Sequence, residues 1–304
     1  MIYTITFAPS IDYVINTDNQ FNNDGLNRVA DYDLFPGGKG INASVILKRI
    51  GFENKAITFL GGSTKKLFLD LLKNENLQVI NIDVDIDTRI NVKMFAKNNS
   101  FEINGKKPII NQNEFFQLIS LIDQFNSEDV VFIMGICDEI ILEKIIEKLH
   151  NKNIKFILDI DSKKMLTYIK YKPFLIKPNL QELQSFLNQK IESEIQLKQA
   201  LYFLKNSGCK NVLVSNGEHG SYLISDENIL YKIEIQKINN IVSTVGAGDT
   251  LISSFAMFYL QTKKVVESLF KATSLSIGTV LSKWLANKAD LNLHLDYIKV
   301  SKIN

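Results

Sequence analysis

The sequence is poor in the residues that form most metal and thiol sites. Among its 304 residues it has two cysteines, Cys137 and Cys209, and three histidines, none with another Cys or His at metal-ligand spacing. These counts argue against a structural zinc site and against a Cys-His catalytic dyad.

Long apolar runs and an excess of charge of one sign are absent as well. No apolar run reaches the roughly 18 residues of a membrane span, and residues 1–9 lack the basic flank of a signal peptide. The 35 basic and 33 acidic side chains leave a formal net charge of +2 and are interspersed, which does not indicate a nucleic-acid surface. We expect a soluble, cytoplasmic protein whose partners are neither nucleic acids nor membranes.

The chain does contain a regular alternation of strand and helix patterns. The predicted strands are Ile2–Ala8, Lys55–Leu60, Val131–Met134, Phe156–Asp159, Phe174–Ile176 and Asn211–Ser215. The predicted helices are Thr64–Asn76, Glu114–Gln124, Ile140–Leu149, Lys163–Ile169, Leu180–Leu187 and Glu194–Asn206. Such alternation predicts an α/β fold with a doubly wound, mostly parallel sheet flanked by helices, in a single domain spanning residues 1–304.

Residues 88–104 break this alternation. Their polar and apolar residues alternate as in a hairpin with one solvated face, rather than as in a buried parallel strand. Together with extended segments at Tyr13–Asn16 and Arg28–Leu34 they predict a small separate sheet. We expect this β-sheet, built from about residues 12–35 and 87–107, to act as a lid over the main strands.

The octapeptide Ser243–Thr250 is the most informative stretch. Gly246, Ala247 and Gly248 precede an apolar helical pattern, so the free amides of a helix start could bind a phosphate or a developing oxyanion. A carboxylate at Asp249 would repel a phosphate, which suggests a proton acceptor beside the transferred group. Compensation of the helix dipole explains Asp249 equally well from these residues alone.

A second glycine cluster occupies residues 36–42, with Gly38, Lys39 and Asn42 ahead of another helical pattern. Close backbone approach of a hydroxyl-rich or anionic ligand would explain the glycines, and a flexible connector is the alternative. Asp12 follows the first strand, where open α/β sheets bind ligands, although a turn residue fits that position too. Arg89 on the predicted lid suits a phosphate monoester, with a solvated strand face as the alternative.

Six stretches, taken in order, resemble the phosphofructokinase B family of phosphosugar kinases within the ribokinase-like superfamily. They are residues 8–12 (Ala-Pro-Ser-Ile-Asp), 37–42 (Gly-Gly-Lys-Gly-Ile-Asn), 88–93 (Thr-Arg-Ile-Asn-Val-Lys), 176–182 (with Asn179 and Glu182), 215–220 (Ser-Asn-Gly-Glu-His-Gly) and 244–250 (Thr-Val-Gly-Ala-Gly-Asp-Thr). The resemblance covers nearly the whole chain.

The resemblance implies a role for each matching residue. Asp249 resembles the general base, and the amides of Gly246, Ala247 and Gly248 resemble the anion hole for the γ-phosphoryl group. Sugar binding is implied for Asp12, Gly38, Lys39 and Asn42, and Arg89 resembles the residue that holds the substrate's own phosphate. Nucleotide binding is implied for Lys177, Asn179, Ser215, Gly217 and Gly220. Glu182 resembles the magnesium residue, acting through water.

The implied activity is phosphorylation of a ketohexose monophosphate with ATP and Mg²⁺. Thr88–Lys93 favours fructose 1-phosphate, which would give fructose 1,6-bisphosphate. Tagatose-6-phosphate kinase and 6-phosphofructokinase are the alternatives within the family, and a non-catalytic sugar-phosphate sensor is the alternative outside enzymes. The resemblance also implies a homodimer formed through the lid.

One segment departs from the family pattern. Where the family has Ser-Gly-Ser-Leu-Pro, residues 134–138 read Met-Gly-Ile-Cys-Asp, so that only Gly135 matches. The second serine of that pattern commonly helps bind the substrate phosphate, whereas the side chain of Ile136 cannot donate a hydrogen bond.

Overall fold

A computed structural model describes residues 1–17, 22, 25–96 and 100–303. Within that part the strands are β1 (Ile2–Thr6), β2 (Ser10–Thr17), β3 (Asp33–Gly37), β4 (Asn54–Leu60), β5 (Gln78–Asp83), β6 (Arg89–Ala96), β7 (Ser100–Ile103), β8 (Val130–Met134), β9 (Lys155–Asp159), β10 (Leu175–Ile176), β11 (Asn211–Ser215), β12 (Ser221–Ile224), β13 (Leu230–Ile235) and β14 (Ile298–Ile303). The α-helices are α1 (Lys39–Arg49), α2 (Thr64–Leu72), α3 (Gln112–Asp123), α4 (Glu139–Asn151), α5 (Met165–Ile169), α6 (Leu180–Leu187), α7 (Glu194–Asn206), α8 (Ala247–Thr262), α9 (Val265–Val280) and α10 (Asp290–Leu293).

Ten strands form the large sheet, in the order β14-β13-β12-β11-β10-β9-β8-β1-β4-β5. All neighbours from β11 to β5 are parallel, and β12, β13 and β14 add an antiparallel edge. Every residue of β8 is buried, as expected for a parallel strand covered by helices on both faces. The predicted doubly wound, mostly parallel sheet is confirmed.

Two hydrophobic clusters lie on opposite faces of this sheet. One contains the buried residues of α1, α8 and α9, and the other those of α3, α4, α6 and α7. Helix α8 is buried over most of its length, because both α9 and α1 pack against it. The glycine-rich start of α8 is therefore held by a rigid core.

The small separate sheet is also present, in the order β3-β2-β6-β7. Strand β2 begins at Ser10, so Asp12 lies within a strand and not in a turn. The expectation for Arg28–Leu34 was wrong for residues 28–32, since the strand that pairs with β2 is Asp33–Gly37. Strands β6 and β7 form the predicted hairpin, of which residues 97–99 lie outside the described residues.

Several elements were not predicted. Strand β5 and the antiparallel edge β12 to β14 carry mixed polar and apolar residues, and their pairing with neighbours stabilises them more than their own pattern does. In the part of the chain that the structure describes, no helix is both long and apolar enough to cross a membrane.

The parallel strands bring distant sequence segments to one edge of the large sheet. Strand β9 ends at Asp159, β10 is followed by Lys177, and β11 ends at Ser215. Because their carboxyl ends share one edge, these residues border a common crevice, where ligands bind in open α/β sheets.

Candidate active site

The glycine-rich segment forms the start of α8. Gly246 is the N-cap residue with φ of 81°, a left-handed conformation that favours glycine, and no side chain caps the helix there. A Cβ atom on Gly246 would lie 2.7 Å from Leu285 Cδ2, and one on Gly248 would lie 3.1 Å from Lys177 Nζ. The helix start thus presents amides that no side chain caps, with an ammonium group close by, an arrangement that can bind an anion.

Asp249 lies in the first turn of α8 and is only 7% exposed. Its Oδ2 accepts a hydrogen bond of 2.8 Å from Asn42 Nδ2 in α1. Burial, together with the negative charge of Asp159, raises the pKa of Asp249 to about 6. A carboxylate with this pKa is ionised at neutral pH and can take up a proton more readily than an ordinary aspartate.

A buried ion cluster lies next to Asp249. Lys39 Nζ is 3.0 Å from Asp159 Oδ1, and Lys177 Nζ is 3.6 Å from Asp159 Oδ2. Burial by itself lowers the pKa of Lys39, but the carboxylates of Asp159, Asp249 and Glu182 raise it overall. Burial opposes ionisation of Asp159 too, yet Lys177 and Lys39 hold its pKa below the ordinary value. Two ammonium groups thus lie among the carboxylates of Asp159, Asp249 and Glu182, so that positive and negative charges are interleaved around the start of α8.

Asp12 is the centre of a polar network under the small sheet. Its carboxylate accepts hydrogen bonds from Lys93 Nζ at 2.6 Å, Asn91 Nδ2 at 3.0 Å and Ser10 Oγ at 2.8 Å. Asp12 and Lys93 are both 7% exposed. Asn91 and Lys93 do not lie on a solvated strand face. They are buried and alternate with the more exposed Ile90 and Val92.

The second glycine cluster permits close packing and is not a loose connector. A Cβ atom on Gly37 would lie 2.7 Å from the Asp12 carboxylate, and one on Gly40 would lie 2.3 Å from Thr6 Oγ1. Gly38, with φ of 116°, caps the start of α1 in a conformation that favours glycine. The cluster therefore brings Lys39 and Asn42 close to the end of β1 and to Asp12.

Arg89 is half-buried at the start of β6. Its guanidinium group donates to three backbone oxygens, those of Ala8 (2.9 Å), Pro9 (3.4 Å) and Gly105 (3.4 Å). Burial lowers the pKa of this group. A guanidinium has five N–H donors, so these contacts leave two for a ligand.

A cleft of about 580 Å³ borders the first turns of α8. Asn179, Ser215, Gly217, Gly220 and Gly248 line it, and its wall also includes apolar side chains such as Ile277 and Val280. Four of the five expected nucleotide residues thus share one cleft. Lys177 does not line it and instead lies between Asp159 and Gly248.

Glu182 forms a capping box with Asn179 at the start of α6. Its carboxylate accepts from the Asn179 amide at 2.8 Å, while Asn179 Oδ1 accepts from the Glu182 amide at 2.8 Å. Burial raises the pKa of Glu182. Among the described residues no group of three or more His, Cys, Asp or Glu side chains could enclose a metal ion. One partly buried carboxylate does suit Mg²⁺, which keeps most of its water ligands.

The segment that departs from the family pattern follows β8. Gly135 has φ of 87°, and its amide donates to the backbone oxygen of Asp159 at 2.9 Å. Burial raises the pKa of the Cys137 thiol to about 12, so this cysteine is a neutral thiol and not a reactive thiolate. The backbone thus turns at Gly135. Because the side chain of Ile136 cannot donate a hydrogen bond, this segment offers a ligand its backbone groups.

Some residues of the site were not predicted from the sequence. Asp159, Lys93 and Asn91 are buried polar groups, and Lys283 and Trp284 line the small cavity of about 20 Å³ next to Asp12. Asp159 could have been found as an acidic residue at the end of a buried strand. Trp284 carries no local signal of a site, because only the folded chain brings it near Asp12.

Comparison with known proteins agrees with this geometry. The model of the pfkB family of carbohydrate kinases matches residues 5–289. The chain is 32% identical over 306 residues to a 1-phosphofructokinase of Borreliella burgdorferi, covering 100% of this chain and 99% of that protein. It is likewise 32% identical to a D-tagatose-1-phosphate kinase of Bacillus licheniformis, covering 100% of both. The structure of Escherichia coli phosphofructokinase-2 with substrates and products matches with a TM-score of 0.89 and 26% identity, covering 97% of this chain and 98% of that one.

Proposed function

The chain belongs to the pfkB family of carbohydrate kinases, and we propose that it transfers the γ-phosphoryl group of ATP to the 6-hydroxyl of fructose 1-phosphate. The products would be fructose 1,6-bisphosphate and ADP. The observation that carries the proposal is the setting of Asp249: its carboxylate bonds to Asn42, which lines the small cavity beside Asp12, and it directly follows Gly248, which lines the larger cleft.

Asp249 would act as the general base. As the sugar oxygen attacks the γ-phosphorus atom, its proton passes to the Asp249 carboxylate, and the bond to the bridging oxygen of ADP breaks. The hydrogen bond from Asn42 fixes the orientation of this carboxylate. A positioned base of this kind contributes about 10²–10⁴-fold to the rate.

Negative charge on the transferred group would be neutralised by the start of α8 and by the adjacent lysines. The amides of Gly246, Ala247 and Gly248 provide hydrogen-bond donors, and Lys177 lies directly over Gly248. Asp159 holds Lys177 and Lys39 in place, and its negative charge contributes to the raised pKa of Lys39. Preorganised positive groups of this kind are usually the largest single contribution to such catalysis.

Mg²⁺ would be held by Glu182 through water molecules, close to the nucleotide cleft. When bound, the ion neutralises charge on the nucleotide phosphates. Asp159 is less suited to bind the metal ion directly, because both of its oxygens already face lysine ammonium groups.

On the sugar side, Asp12 would accept hydrogen bonds from substrate hydroxyls, and Arg89 would bind the phosphate that the substrate already carries. Lys39, Gly38 and backbone amides of the segment after β8 would supply the donors that the side chain of Ile136 lacks. The two N–H groups of Arg89 that its backbone contacts leave over, and the ammonium group of Lys39, support this assignment.

The small sheet would close the sugar site as a lid and would also form a homodimer. Ile90 and Ile103 on its outer side are 45% and 64% exposed, and Tyr32 is 51% exposed. An apolar outer face on a small sheet favours pairing with a second copy. Sedimentation of the protein should therefore give a dimer, and Ile103→Lys should weaken it.

A second substrate has a specific observation in its favour. The D-tagatose-1-phosphate kinase relative is as similar to this chain as the 1-phosphofructokinase relative, at 32% identity. The two ketose 1-phosphates differ only in the configuration at C4, so one pocket could accept both. Fructose 6-phosphate and tagatose 6-phosphate would have to bind in the reverse direction, with their 6-phosphate at Arg89.

A coupled ADP-release assay tests the proposal. It should compare kcat/KM with Mg-ATP for fructose 1-phosphate, tagatose 1-phosphate, fructose 6-phosphate, tagatose 6-phosphate and free fructose. We expect fructose 1-phosphate to give the highest value and fructose the lowest. If ATP and a sugar phosphate both stabilise the protein against heat but no substrate is turned over, the chain is a sensor and not a kinase.

A further inference from the structure

The loop that follows α9, residues 281–287, contacts both the small sheet and the start of α8. We call it the bridging loop. Resting on the kinase function proposed above, we propose that Trp284 in this loop is a positioning residue, which ties strand β3 of the small sheet to the anion site at Gly246. Trp284 would act through its neighbours, without contact to the reacting atoms.

The first part of the argument is the contact with the small sheet. The Trp284 ring stacks on Phe35 of β3, with ring centroids 5.4 Å apart and an interplanar angle of 10°. Lys283 Nζ lies 3.1 Å from Asp33 Oδ2, also in β3. Phe35 is the register partner of Asp12 in the paired strand β2. The bridging loop therefore holds the strand next to the residue proposed to bind the sugar.

The second part is the anchorage of the loop to the main domain. The Arg49 guanidinium carbon lies 5.0 Å from the Trp284 ring centroid, a cation–π contact. Arg49 Nη1 donates to the backbone oxygens of Leu285 at 2.8 Å and Ala286 at 3.0 Å, and Glu75 holds the other edge of the guanidinium. Trp284 is thus fixed on its Arg49 side, and its other side meets the small sheet.

The third part is the contact with α8. Leu285 is 3% exposed and packs so closely on Gly246 that a Cβ atom there would lie 2.7 Å from Leu285 Cδ2. The Ala286 amide donates to Thr279 Oγ1 at 3.1 Å, and that oxygen is 3.0 Å from Thr250 Oγ1. Thr250 follows Asp249 directly, so the loop contacts the anion site from both Gly246 and Thr250.

These contacts have different consequences for the two substrates. A loop that touches β3 and α8 links the position of the sugar-binding strand to the geometry of phosphoryl transfer, where a displacement of about 1 Å can cost about 10²-fold in rate. Within the described residues, the bridging loop contributes nothing to the lining of the nucleotide cleft. Loss of Trp284 should therefore impair sugar binding and kcat and leave nucleotide binding intact.

Trp284 also supplies its own spectroscopic signal, because it is the one tryptophan of the chain. The Phe35 ring stacks on Trp284 and the Arg49 charge lies over its ring, so a shift of either should alter the emission. Fructose 1-phosphate, which would contact Asp12 beside Phe35, should change the intensity or wavelength of this emission. Mg-ATP alone should leave it almost unchanged.

The kinetic test compares Trp284→Ala with Trp284→Phe. Removing the stacked ring should raise KM for fructose 1-phosphate about tenfold and lower kcat as well, whereas KM for ATP should change less than about twofold. Trp284→Phe keeps a stacking ring and should recover most of the loss. Phe203→Ala, which removes a half-exposed ring on α7, is the control and should leave all three constants unchanged.

Each result has a defined meaning. Suppose that the wild type phosphorylates a sugar phosphate. The positioning role is then wrong, and the kinase function stands, if that substrate does not change the emission or if Trp284→Ala keeps the wild-type kinetic constants. If Trp284→Ala loses the sugar and ATP equally while Trp284→Phe recovers neither, the role is merely structural and the inference fails. If none of the sugar phosphates is turned over or changes the emission, both proposals fail. If Trp284→Ala does not fold, the emission of the wild type and the kinetic constants of Trp284→Phe test the positioning role instead.

Discussion

The proposed sugar side and the proposed nucleotide side of the site are built in different ways. On the sugar side, three side chains of the small sheet already bond to Asp12, and the cavity beside it measures about 20 Å³. On the nucleotide side, loop backbone and apolar side chains surround an open cleft of about 580 Å³. The first is a preorganised polar network and the second is a preformed apolar cleft, so substitutions on each side should change different kinetic constants.

The largest effect is expected at Asp249, which lies between the two sides. Asp249→Asn keeps the shape of the side chain but removes the proton acceptor, so kcat should fall about 10²–10⁴-fold. Stabilisation by either substrate in thermal unfolding should persist. Asp296→Asn, at an exposed position, is the control and should keep full activity. Wild-type turnover of Asp249→Asn would show that another group accepts the proton.

Lys93→Met should damage the sugar side alone. It leaves the buried Asp12 carboxylate without its ammonium partner, and breaking a buried pair of this kind costs about 3–5 kcal/mol of stability. The value of kcat/KM for the sugar phosphate should fall about tenfold to a hundredfold, whereas KM for ATP should stay constant.

Two further variants sharpen the interpretation of Lys93→Met. Adding Asp12→Asn should recover part of the stability but not the activity, because the acceptor for the sugar would then be lost. Lys299→Met, whose side chain is 76% exposed, should have no effect on stability or activity. Equal losses for both substrates in Lys93→Met would contradict the separation of the two sides.

Gly220→Ala should damage the nucleotide side alone. Gly220 has φ of 84°, and a Cβ atom would lie 1.9 Å from the Ile233 backbone oxygen, so the loop that lines the cleft must shift. We expect KM for ATP to rise about tenfold while KM for the sugar phosphate stays constant. Gly51→Ala is the matched control, since Gly51 also has positive φ, no atom lies within 4 Å of the position that its Cβ would take, and it does not line the cleft. An equal rise of KM for ATP in both variants would contradict a role for the Gly220 loop in nucleotide binding.

The smallest effect concerns pH and stability. Because the pKa of Asp249 is raised to about 6, kcat/KM should fall as pH drops below about 6. The folded state binds this proton more tightly than the unfolded chain, so the stabilisation is present below about pH 3.9 and is lost as pH rises through about 6.

Asp249→Asn should therefore raise Tm by a few degrees at pH 7.5 and leave it nearly unchanged at pH 4. Thermal unfolding of both proteins at the two pH values measures this difference. The same Tm difference at both pH values would show that burial of the ionised Asp249 carboxylate does not destabilise the folded state.

Much of the fold could be predicted because the central elements have strong local patterns. Helices Leu180–Leu187 and Glu194–Asn206 and strand Asn211–Ser215 have the predicted bounds, since their periodicity and capping residues coincide. The small sheet was predicted in outline, but β3 was placed too early, because its start depends on pairing with β2 and not on its own residues.

Prediction of the site was uneven for a similar reason. Glycines next to a charged residue and a helical pattern are visible locally, so Gly246, Gly248 and Asp249 could be selected, and Asn42 and Asp249 do lie in contact. Lys93 was not predicted as a site residue, because alternation alone does not say which face of a strand is covered. Arg89 was predicted as a phosphate residue, and that role stays a prediction, with three backbone oxygens as its partners in the folded chain.

The sequence by itself therefore determined the α/β architecture and the glycine-rich helix starts, and it singled out Asp249 as the candidate base, because these depend on patterns within a few residues. Only the tertiary structure decided which side chains from distant parts of the chain come into contact. It brought Lys39 and Lys177 to Asp159, Lys93 to Asp12, and Trp284 near the end of the chain to Phe35 near its start. Contacts of this range arise from strand order and helix packing, and no local pattern encodes them.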